Sequence, residues 1–261
     1  MKKFVLDLAV RSVERIHERY VLVKLTSSSP LPEMNPGQFV EVRVDGSPST
    51  FLRRPISIHF VDYDKNELWL LVATIGDGTR QLGQLVAGDT LNCVLPLGNG
   101  FSTSADFPLS EPKRSLLVGG GVGVAPLLYL GKMLRDRGGE PTFLLGARTE
   151  KDLLMLSEFE KYGRVLVTTE DGSAGEKGFV TQHSVLGKER FGIIQCCGPT
   201  PMMKAVARYA RQSSTECEVS LENLMACGLG ACLCCVEKTV DGNLCVCKDG
   251  PVFNINRLLW D

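Results

Sequence analysis

Apolar and polar positions follow two different patterns along the chain. Up to about residue 101, short apolar runs alternate with turn residues such as Pro36-Gly37 and Gly88-Asp89. Many short strands at close spacing are typical of an antiparallel barrel or sandwich. The predicted strands of this part lie at 20–25, 39–44, 68–73 and 90–95.

A polar segment at 102–114 contains Pro108 and Pro112 and is predicted to be a linker. The pattern of apolar positions changes after it. Apolar strands now alternate with helical patterns, which predicts buried strands in a parallel sheet covered by helices. The strands are predicted at 115–119, 142–146, 164–169, 191–197 and 217–221, and the helices at 126–137, 150–161, 180–188 and 201–211. Residues 222–261 fit neither pattern and are predicted to be loop-like.

The pattern therefore predicts a multidomain β plus α/β protein. Its domains are an antiparallel β-barrel at 1–101, a parallel α/β domain at 112–213 and a small cysteine-rich domain at 214–261. A chain of 261 residues is long enough for each of the two larger domains to bury its own core.

Composition and charge narrow the class of protein. Hydrophobic residues make up 44% and charged residues 23%, and the net charge of −1 gives no basic surface for nucleic acid. Asp7 and Arg11 interrupt the apolar stretch near the N-terminus, so a signal peptide is not expected. No run reaches the about 18 apolar residues of a membrane span. We expect a cytoplasmic protein that binds neither membrane nor nucleic acid.

Six of the ten cysteines lie between Cys227 and Cys247, and such clustering favours a metal site over disulfides. The order C-x4-C-x2-C, followed by a distant cysteine, is the plant-type [2Fe–2S] spacing, here Cys227, Cys232, Cys235 and Cys247. Cys234 is an alternative to Cys235, and Cys245 to Cys247, which spacing alone separates only weakly. A structural zinc site with four thiolates is the other interpretation.

Two further segments have the features of flavin contacts. Arg54-Pro55-Ile56-Ser57 offers a guanidinium for a phosphate and a hydroxyl for a flavin ring, and Pro55 predicts a strand at the edge of its sheet. Glycines at 76 and 78, with Thr79, precede a predicted short helix at 80–86, where N–H groups suit a pyrophosphate. Taken alone, each signal more often marks only an ordinary turn or strand.

The α/β domain has a strand, a glycine-rich loop and a helix in succession, as in a dinucleotide site. The loop contains Gly119, Gly120, Gly121 and Gly123 and ends at Pro126, so it departs from the strict G-x-G-x-x-G pattern. Cys197-Gly198-Pro199 ends a later strand, at the edge where open α/β sheets bind ligands. Glu170 and Asp171 follow the third strand and weakly favour NADH over NADPH.

The order of these motifs resembles the ferredoxin–NADP reductase superfamily. The segments 220–232 and 246–253, SLENLMACGLGAC and VCKDGPVF, narrow the resemblance to the electron-transfer subunits of B-type, NAD-dependent dihydroorotate dehydrogenases. The resemblance implies that the four cysteines with [2Fe–2S] spacing are the cluster ligands. It implies FAD contacts at Arg54, Pro55, Ile56, Ser57, Leu71, Val72, Ala73, Gly78 and Thr79. Ile56 stands where the superfamily often has an aromatic residue, so stacking on the flavin must come from elsewhere.

The resemblance also implies a partner and a direction of electron flow. An FMN-containing catalytic subunit would oxidise dihydroorotate, a step of pyrimidine (UMP) biosynthesis, and two copies of each subunit would form a heterotetramer. Electrons would pass from FMN through the cluster and FAD to NAD⁺, and no catalytic acid or base is expected in this chain. The alternatives are a reductase component serving an oxygenase, a sulfite reductase or a hydrogenase, and a zinc-stapled binding module without flavin.

Overall fold

A computed structural model describes residues 2–103 and 114–260 of the chain. Its contacts divide the protein into two compact units. The half-barrel unit comprises Met1–Gly100, Glu222–Glu237 and Asn243–Pro251, and the α/β unit comprises Phe101–Leu221, Lys238–Gly242 and Val252–Asp261. Most of the predicted linker lies outside the described residues. The three predicted domain boundaries stay a prediction, because the C-terminal segment contributes to both units.

The half-barrel unit contains one seven-stranded antiparallel sheet in the order β4-β3-β7-β1-β2-β6-β5. Its elements are β1 (Phe4–His17), β2 (Tyr20–Thr26), β3 (Phe39–Val42), β4 (Arg54–Ser57), β5 (Phe60–Asp62), β6 (Glu67–Ala73), the helix α1 (Asp77–Leu82) and β7 (Thr90–Leu97). The antiparallel β architecture is confirmed. β4 is an edge strand, as Pro55 predicts, because proline lacks the N–H that a second neighbour would need.

The N-terminal apolar stretch forms the long central strand of this sheet. β1 pairs with β7 along its first half and with β2 along its second. Leu8 and Val10 point into the core, whereas Asp7 and Arg11 alternate with them. The charged residues that interrupt the apolar stretch are thus the outward positions of a strand with one buried face.

The α/β unit contains the second sheet, in the order β11-β10-β9-β8-β12-β13-β16. Its strands are β8 (Arg114–Gly120), β9 (Glu140–Ala147), β10 (Arg164–Thr169), β11 (Glu176–Lys177), β12 (Ile193–Cys197), β13 (Glu216–Ser220) and β16 (Val252–Asn254). All neighbours are parallel except β13 and β16. The helices are α2 (Ala125–Asp136), α3 (Leu156–Glu160), α4 (Val185–Lys188) and α5 (Thr200–Gln212).

Three predicted helices were wrong in extent. The helix predicted at 180–188 is a 3₁₀ turn at Val180–Gln182 followed by α4. The helix predicted at 150–161 is a separate 3₁₀ turn and then α3, because the Thr149 hydroxyl bonds the Asp152 carboxylate and the chain extends at Leu153. The short helix predicted at 80–86 begins earlier, as α1, because the Thr79 hydroxyl closes its first turn onto Gly76. Gly78 and Thr79 therefore lie inside the helix rather than before it.

The C-terminal segment is more regular than the loop that the sequence predicts. β14 (Val236–Thr239) and β15 (Gly242–Cys245) form a hairpin, and the one-turn helix α6 (Val246–Asp249) follows. β16 then joins the α/β sheet antiparallel to β13, through pairs such as Val219 with Phe253. Of the helices that the structure describes, none has the length and hydropathy needed to cross a membrane.

Candidate functional site

The cysteine-rich loop turns tightly enough to direct its own N–H groups at sulfur. Gly228 and Gly230 have φ angles of 65° and 80°, which glycine adopts without strain. The N–H groups of Leu229 and Ala231 both donate to the Cys227 sulfur at 3.4 Å. Such donors stabilise a thiolate, so the loop is built to hold negative charge on sulfur.

The fourth cysteine of the spacing reaches the same loop from α6. The Gly230 N–H donates to the Cys247 sulfur at 3.1 Å, and the Cys247 N–H donates to the Cys235 sulfur at 3.4 Å. The Asn99 side chain, just after β7, donates to the carbonyl oxygens of Lys248 and Asp249. The segment that carries Cys247 is thus attached to the half-barrel sheet.

The four sulfurs approach one another as two pairs. The Cys232 side chain is close enough to lower the pKa of the Cys227 thiol, and the Cys235 side chain is close enough to raise that of Cys247. Within residues 2–103 and 114–260, no three His, Cys, Asp or Glu side chains are grouped so as to hold a single metal ion. A binuclear cluster with four cysteine ligands has two iron atoms, and two pairs of thiolates suit that donor set.

The two pairs differ in their electrostatics. Hydrogen bonds from the backbone, the Leu229 N–H first, lower the pKa of the Cys227 thiol to about 6. Burial, and then the neighbouring Cys235 side chain, raise the pKa of Cys247 to about 12. Without metal the Cys247 thiol is therefore protonated, and a bound metal would deprotonate it.

The two competing cysteines lie differently. Cys234 is exposed, whereas its neighbour Cys235 is buried and accepts the Cys247 N–H. Cys245 is buried, but its sulfur points to the Gly230 carbonyl oxygen at 3.9 Å. The geometry supports Cys235 and Cys247, the choice that the resemblance implies.

The two predicted phosphate contacts of the flavin site lie side by side. A Cβ added to Gly78 would be 3.1 Å from Arg54 Nε and 2.9 Å from Thr50 Cγ2. The Arg54 guanidinium also donates to the carbonyl oxygens of Leu52 and Arg53, which hold it over the start of α1. The Thr79 hydroxyl is bonded to Gly76, so a phosphate there would meet the backbone of this turn.

The other predicted flavin contacts lie on β6, where its sheet pairing stops. β5 pairs with β6 only through Glu67, Leu68 and Trp69. The described sheet therefore has no strand beside this edge at 71–73, and β4 approaches β6 across the sheet ends. Backbone groups of Leu71, Val72 and Ala73 can thus bind a ligand held against Arg54–Ser57. These residues fit a flavin.

The predicted nucleotide residues meet at the carboxyl edge of the α/β sheet. β8 ends at Gly120, a 3₁₀ turn at Gly121–Val124 follows, and α2 begins with Pro126 in its first turn, as predicted. Cys197 pairs with Gly119 in the sheet. A Cβ on Gly123 would lie 2.4 Å from Gly198 Cα, so Gly123 is needed for the contact between the two loops.

Sequence reasoning missed two side chains near these sites. The Met202 side chain covers the nucleotide loops, because Cβ atoms on Gly120 and Gly198 would lie 2.6 Å from its Sδ and 2.5 Å from its Cε. Glu41 on β3 is buried beneath the cysteine loop. Met202 stands five residues after Cys197, a position that could have suggested it, whereas nothing in the sequence around Glu41 indicates a site.

The acidic residues after β10 are exposed, and one is engaged locally. The Ser173 hydroxyl and N–H donate to Asp171, and the hydroxyl first of all lowers the pKa of this carboxyl group. Glu170 is exposed beside it. The preference for NADH inferred from this pair stays a prediction.

Comparisons with known proteins show which sequences the chain is similar to. A family model described as the iron–sulfur cluster binding domain of dihydroorotate dehydrogenase B matches residues 222–259, and one described as an oxidoreductase NAD-binding domain matches 117–208. The chain is 38% identical to a dihydroorotate dehydrogenase B (NAD⁺) electron transfer subunit of Shouchella clausii, over 96% of each chain. It is 42% identical to that subunit of Lysinibacillus sphaericus, over 85% of this chain and 86% of the other.

Among solved structures, the chain is similar to one described as an NADH-dependent reduced ferredoxin-NADP oxidoreductase, studied for flavin-based electron bifurcation. The TM-score is 0.85 and the identity 34%, over 97% of this chain and 90% of the other.

Proposed function

The chain belongs to the family of electron transfer subunits of NAD⁺-dependent dihydroorotate dehydrogenase B, and from this premise we propose that it carries electrons from a dihydroorotate-oxidising partner to NAD⁺. It is an oxidoreductase component with iron–sulfur and NAD-binding regions on a flavin-reductase fold. The observation that carries the proposal is the pairing of Cys227 with Cys232 and of Cys235 with Cys247, inside the unit that also holds the flavin residues.

The proposed roles of the residues follow from their positions. Four cysteine thiolates hold the [2Fe–2S] cluster, and the loop N–H groups compensate their charge. The guanidinium of Arg54 and the backbone of Gly78 hold the phosphates of FAD, and the unpaired edge of β6 holds its ring system. When bound, FAD exchanges two electrons with a nicotinamide and single electrons with a cluster.

The α/β unit orients the nicotinamide nucleotide. The loop at Gly119–Gly123 offers N–H groups to phosphate, and the contact of Gly123 with Gly198 fixes the second loop against it. Cys197, Gly198 and Pro199 then form the wall of the site at the carboxyl edge of the sheet. These residues bind and position the nucleotide, and no acid or base is assigned to them.

The partner is proposed to be an FMN-containing catalytic subunit. The relatives are called electron transfer subunits, a name that implies a catalytic subunit beside them. We propose two copies of each subunit, a cytoplasmic location and the electron order FMN, cluster, FAD, NAD⁺.

A second function is favoured by one specific observation. The solved structure that is 34% identical over nearly the whole chain is described as a bifurcating ferredoxin-NADP oxidoreductase. The partner decides between the two functions, because the same electron-transfer chain could serve either. The experiment must therefore test the partner's substrate.

The test is anaerobic co-expression with the FMN-containing candidate subunit of the same organism. We expect a complex that holds FMN, FAD, iron and acid-labile sulfide and that forms orotate from dihydroorotate with NAD⁺ as acceptor. A complex without iron, or with zinc in its place, would contradict the cluster. A fully loaded complex that does not oxidise dihydroorotate, but transfers electrons between reduced ferredoxin, NAD(H) and NADP(H), would support the second function instead.

A further inference from the structure

An uncompensated carboxyl group lies beneath the cysteine loop. Glu41 is on β3, between β4 and β7, and its side chain is 1% exposed. In the part of the chain that the structure describes, neither carboxyl oxygen of Glu41 has a hydrogen-bond partner. Buried carboxyl groups ordinarily have partners, because an unpaired buried polar group destabilises the fold.

The Glu41 side chain contacts the turn that follows the first cluster ligand. A Cβ added to Gly228 would lie 2.7 Å from Glu41 Cγ and 3.1 Å from its Oε1. The Gly228 backbone therefore rests on this side chain.

Three charged or titratable groups influence Glu41 from the elements around it. Arg53 and Arg54 precede and begin β4, and Cys227 lies on the loop above. The Arg53 guanidinium is occupied elsewhere, because it donates to the Glu41 carbonyl oxygen and to the carbonyl and side-chain oxygens of Asn92. Burial raises the pKa of Glu41 to about 7, against the opposing effect of Arg53.

We propose that the carboxyl group of Glu41, held against the Cys227–Gly228 turn, lowers the reduction potential of the cluster by its charge. Reduction adds one electron, and thus one negative charge, to a group held by four thiolates. A carboxylate buried nearby repels that charge, and little solvent screens it. Among the described residues no hydrogen bond satisfies the carboxyl oxygens, and Arg53 offsets their charge only in part, so the remaining charge acts on the cluster.

This proposal rests on the proposed cluster ligands. Its test distinguishes a failure of the proposed role of Glu41 from a failure of the proposed function. Wild-type complex is first checked for iron and sulfide, since a wild type without them would contradict the proposed function and leave no potential to compare. The cluster potential is then measured by reductive titration with dithionite, followed by electron paramagnetic resonance. All potentials are measured at one pH, so that each variant differs from wild type only in the substituted residue.

Two variants remove the charge in different ways. Glu41→Gln keeps the shape and polarity of the side chain, and Glu41→Met replaces it with an apolar chain of similar length. Both are expected to shift the cluster potential to more positive values. The Met variant is expected to unfold at a temperature no lower than wild type, because replacing an uncompensated buried charge by an apolar group is often neutral or stabilising.

Glu67→Gln is the matched control. Glu67 is a buried glutamate of the same sheet, but it lies on β6 and is paired with Arg11 at 3.0 Å and with the Trp69 indole N–H at 3.0 Å. Its removal is expected to leave the cluster potential unchanged. An equal shift in all three variants would overturn the proposal, because it would show a general effect of the sheet.

The remaining outcomes are also decisive. An unchanged potential in Glu41→Gln and Glu41→Met overturns the proposal. So does loss of the cluster in both variants with FAD retained, because Glu41 would then only support the loop. Failure of both variants to fold would contradict the proposal as well. It would show that Glu41 is needed for folding, whereas the proposal gives it an effect on the cluster potential only.

Discussion

At the scale of the residue, Cys234 and Cys235 are neighbours in sequence with different surroundings. The Cys235 sulfur is buried and accepts the Cys247 N–H, whereas Cys234 is exposed. We expect Cys235→Ser to lose most of the iron and sulfide and Cys234→Ser to keep both, as measured by metal analysis and visible absorption. Loss only in Cys234→Ser would show that Cys234 is the ligand, and equal loss in the two variants would contradict the choice of Cys235 alone.

A glycine in the nucleotide site is a second residue with one decisive contact. A Cβ on Gly123 would lie 2.4 Å from Gly198 Cα and 2.5 Å from the Cys197 carbonyl oxygen, so neither backbone can yield without moving a loop. We expect Gly123→Ala to weaken NADH binding, since overpacking costs about 1–3 kcal/mol. Titration of NADH with the FAD-loaded protein measures this.

Gly187→Ala is the control for that substitution. Gly187 has nothing within 4 Å of an added Cβ and lies in α4, where alanine is favoured over glycine. Its NADH affinity and its unfolding temperature are expected to be at least those of wild type. If Gly123→Ala binds NADH equally well, the contact between the two loops does not shape the site.

At the scale of the element, the sequence predicts best where one local signal decides the structure. Pro55 places β4 at an edge, and Pro126 lies in the first turn of α2, because proline restricts hydrogen bonding and φ at its own position. The predicted start of α1 is three residues too late, because the observed start depends on the hydrogen bonds of one side chain, the Thr79 hydroxyl. The position of Glu41 beneath Gly228 was out of reach, because it joins residues far apart in the chain.

β16 is one of the C-terminal elements that the sequence did not reveal, and it leads to a prediction of its own. Its residues are few and follow a cysteine-rich segment, and only pairing with β13 makes them a strand. Phe253 on this strand is 1% exposed. We expect Phe253→Ala to destabilise the α/β unit by about 3–5 kcal/mol, measured by thermal unfolding.

Leu259→Ala tests the specificity of that effect. Leu259 lies in the same C-terminal tail but is 60% exposed, so its truncation removes little buried surface. The unfolding temperature of the Leu259→Ala variant should stay near that of wild type. A similar loss in both variants would mean that the tail as a whole, rather than the buried strand, stabilises the unit.

At the scale of the whole molecule, the cluster loop and the flavin residues share one compact unit. Asn99 attaches α6 to the end of β7, and Glu41 supports the Gly228 turn from β3. The loop is thus fixed to the same sheet that presents Arg54 and the open edge of β6. A rigid attachment keeps a cluster at a constant position relative to a flavin, which is what electron transfer through this chain needs.

The outer side of the cluster loop carries the last prediction. Leu224, Leu229 and Leu233 are 85%, 47% and 64% exposed, and Cys232 is exposed among them. Exposed leucines beside a redox centre suit a partner surface, because their burial stabilises association. We expect Leu224→Arg to reduce co-purification of the catalytic subunit and NAD⁺-dependent orotate formation, while NADH oxidation with an artificial acceptor persists.

Val240→Arg, at a 60% exposed position of the β14–β15 turn, is expected to keep the complex. If Val240→Arg releases the partner and Leu224→Arg does not, the catalytic subunit docks on the hairpin instead of the cluster loop.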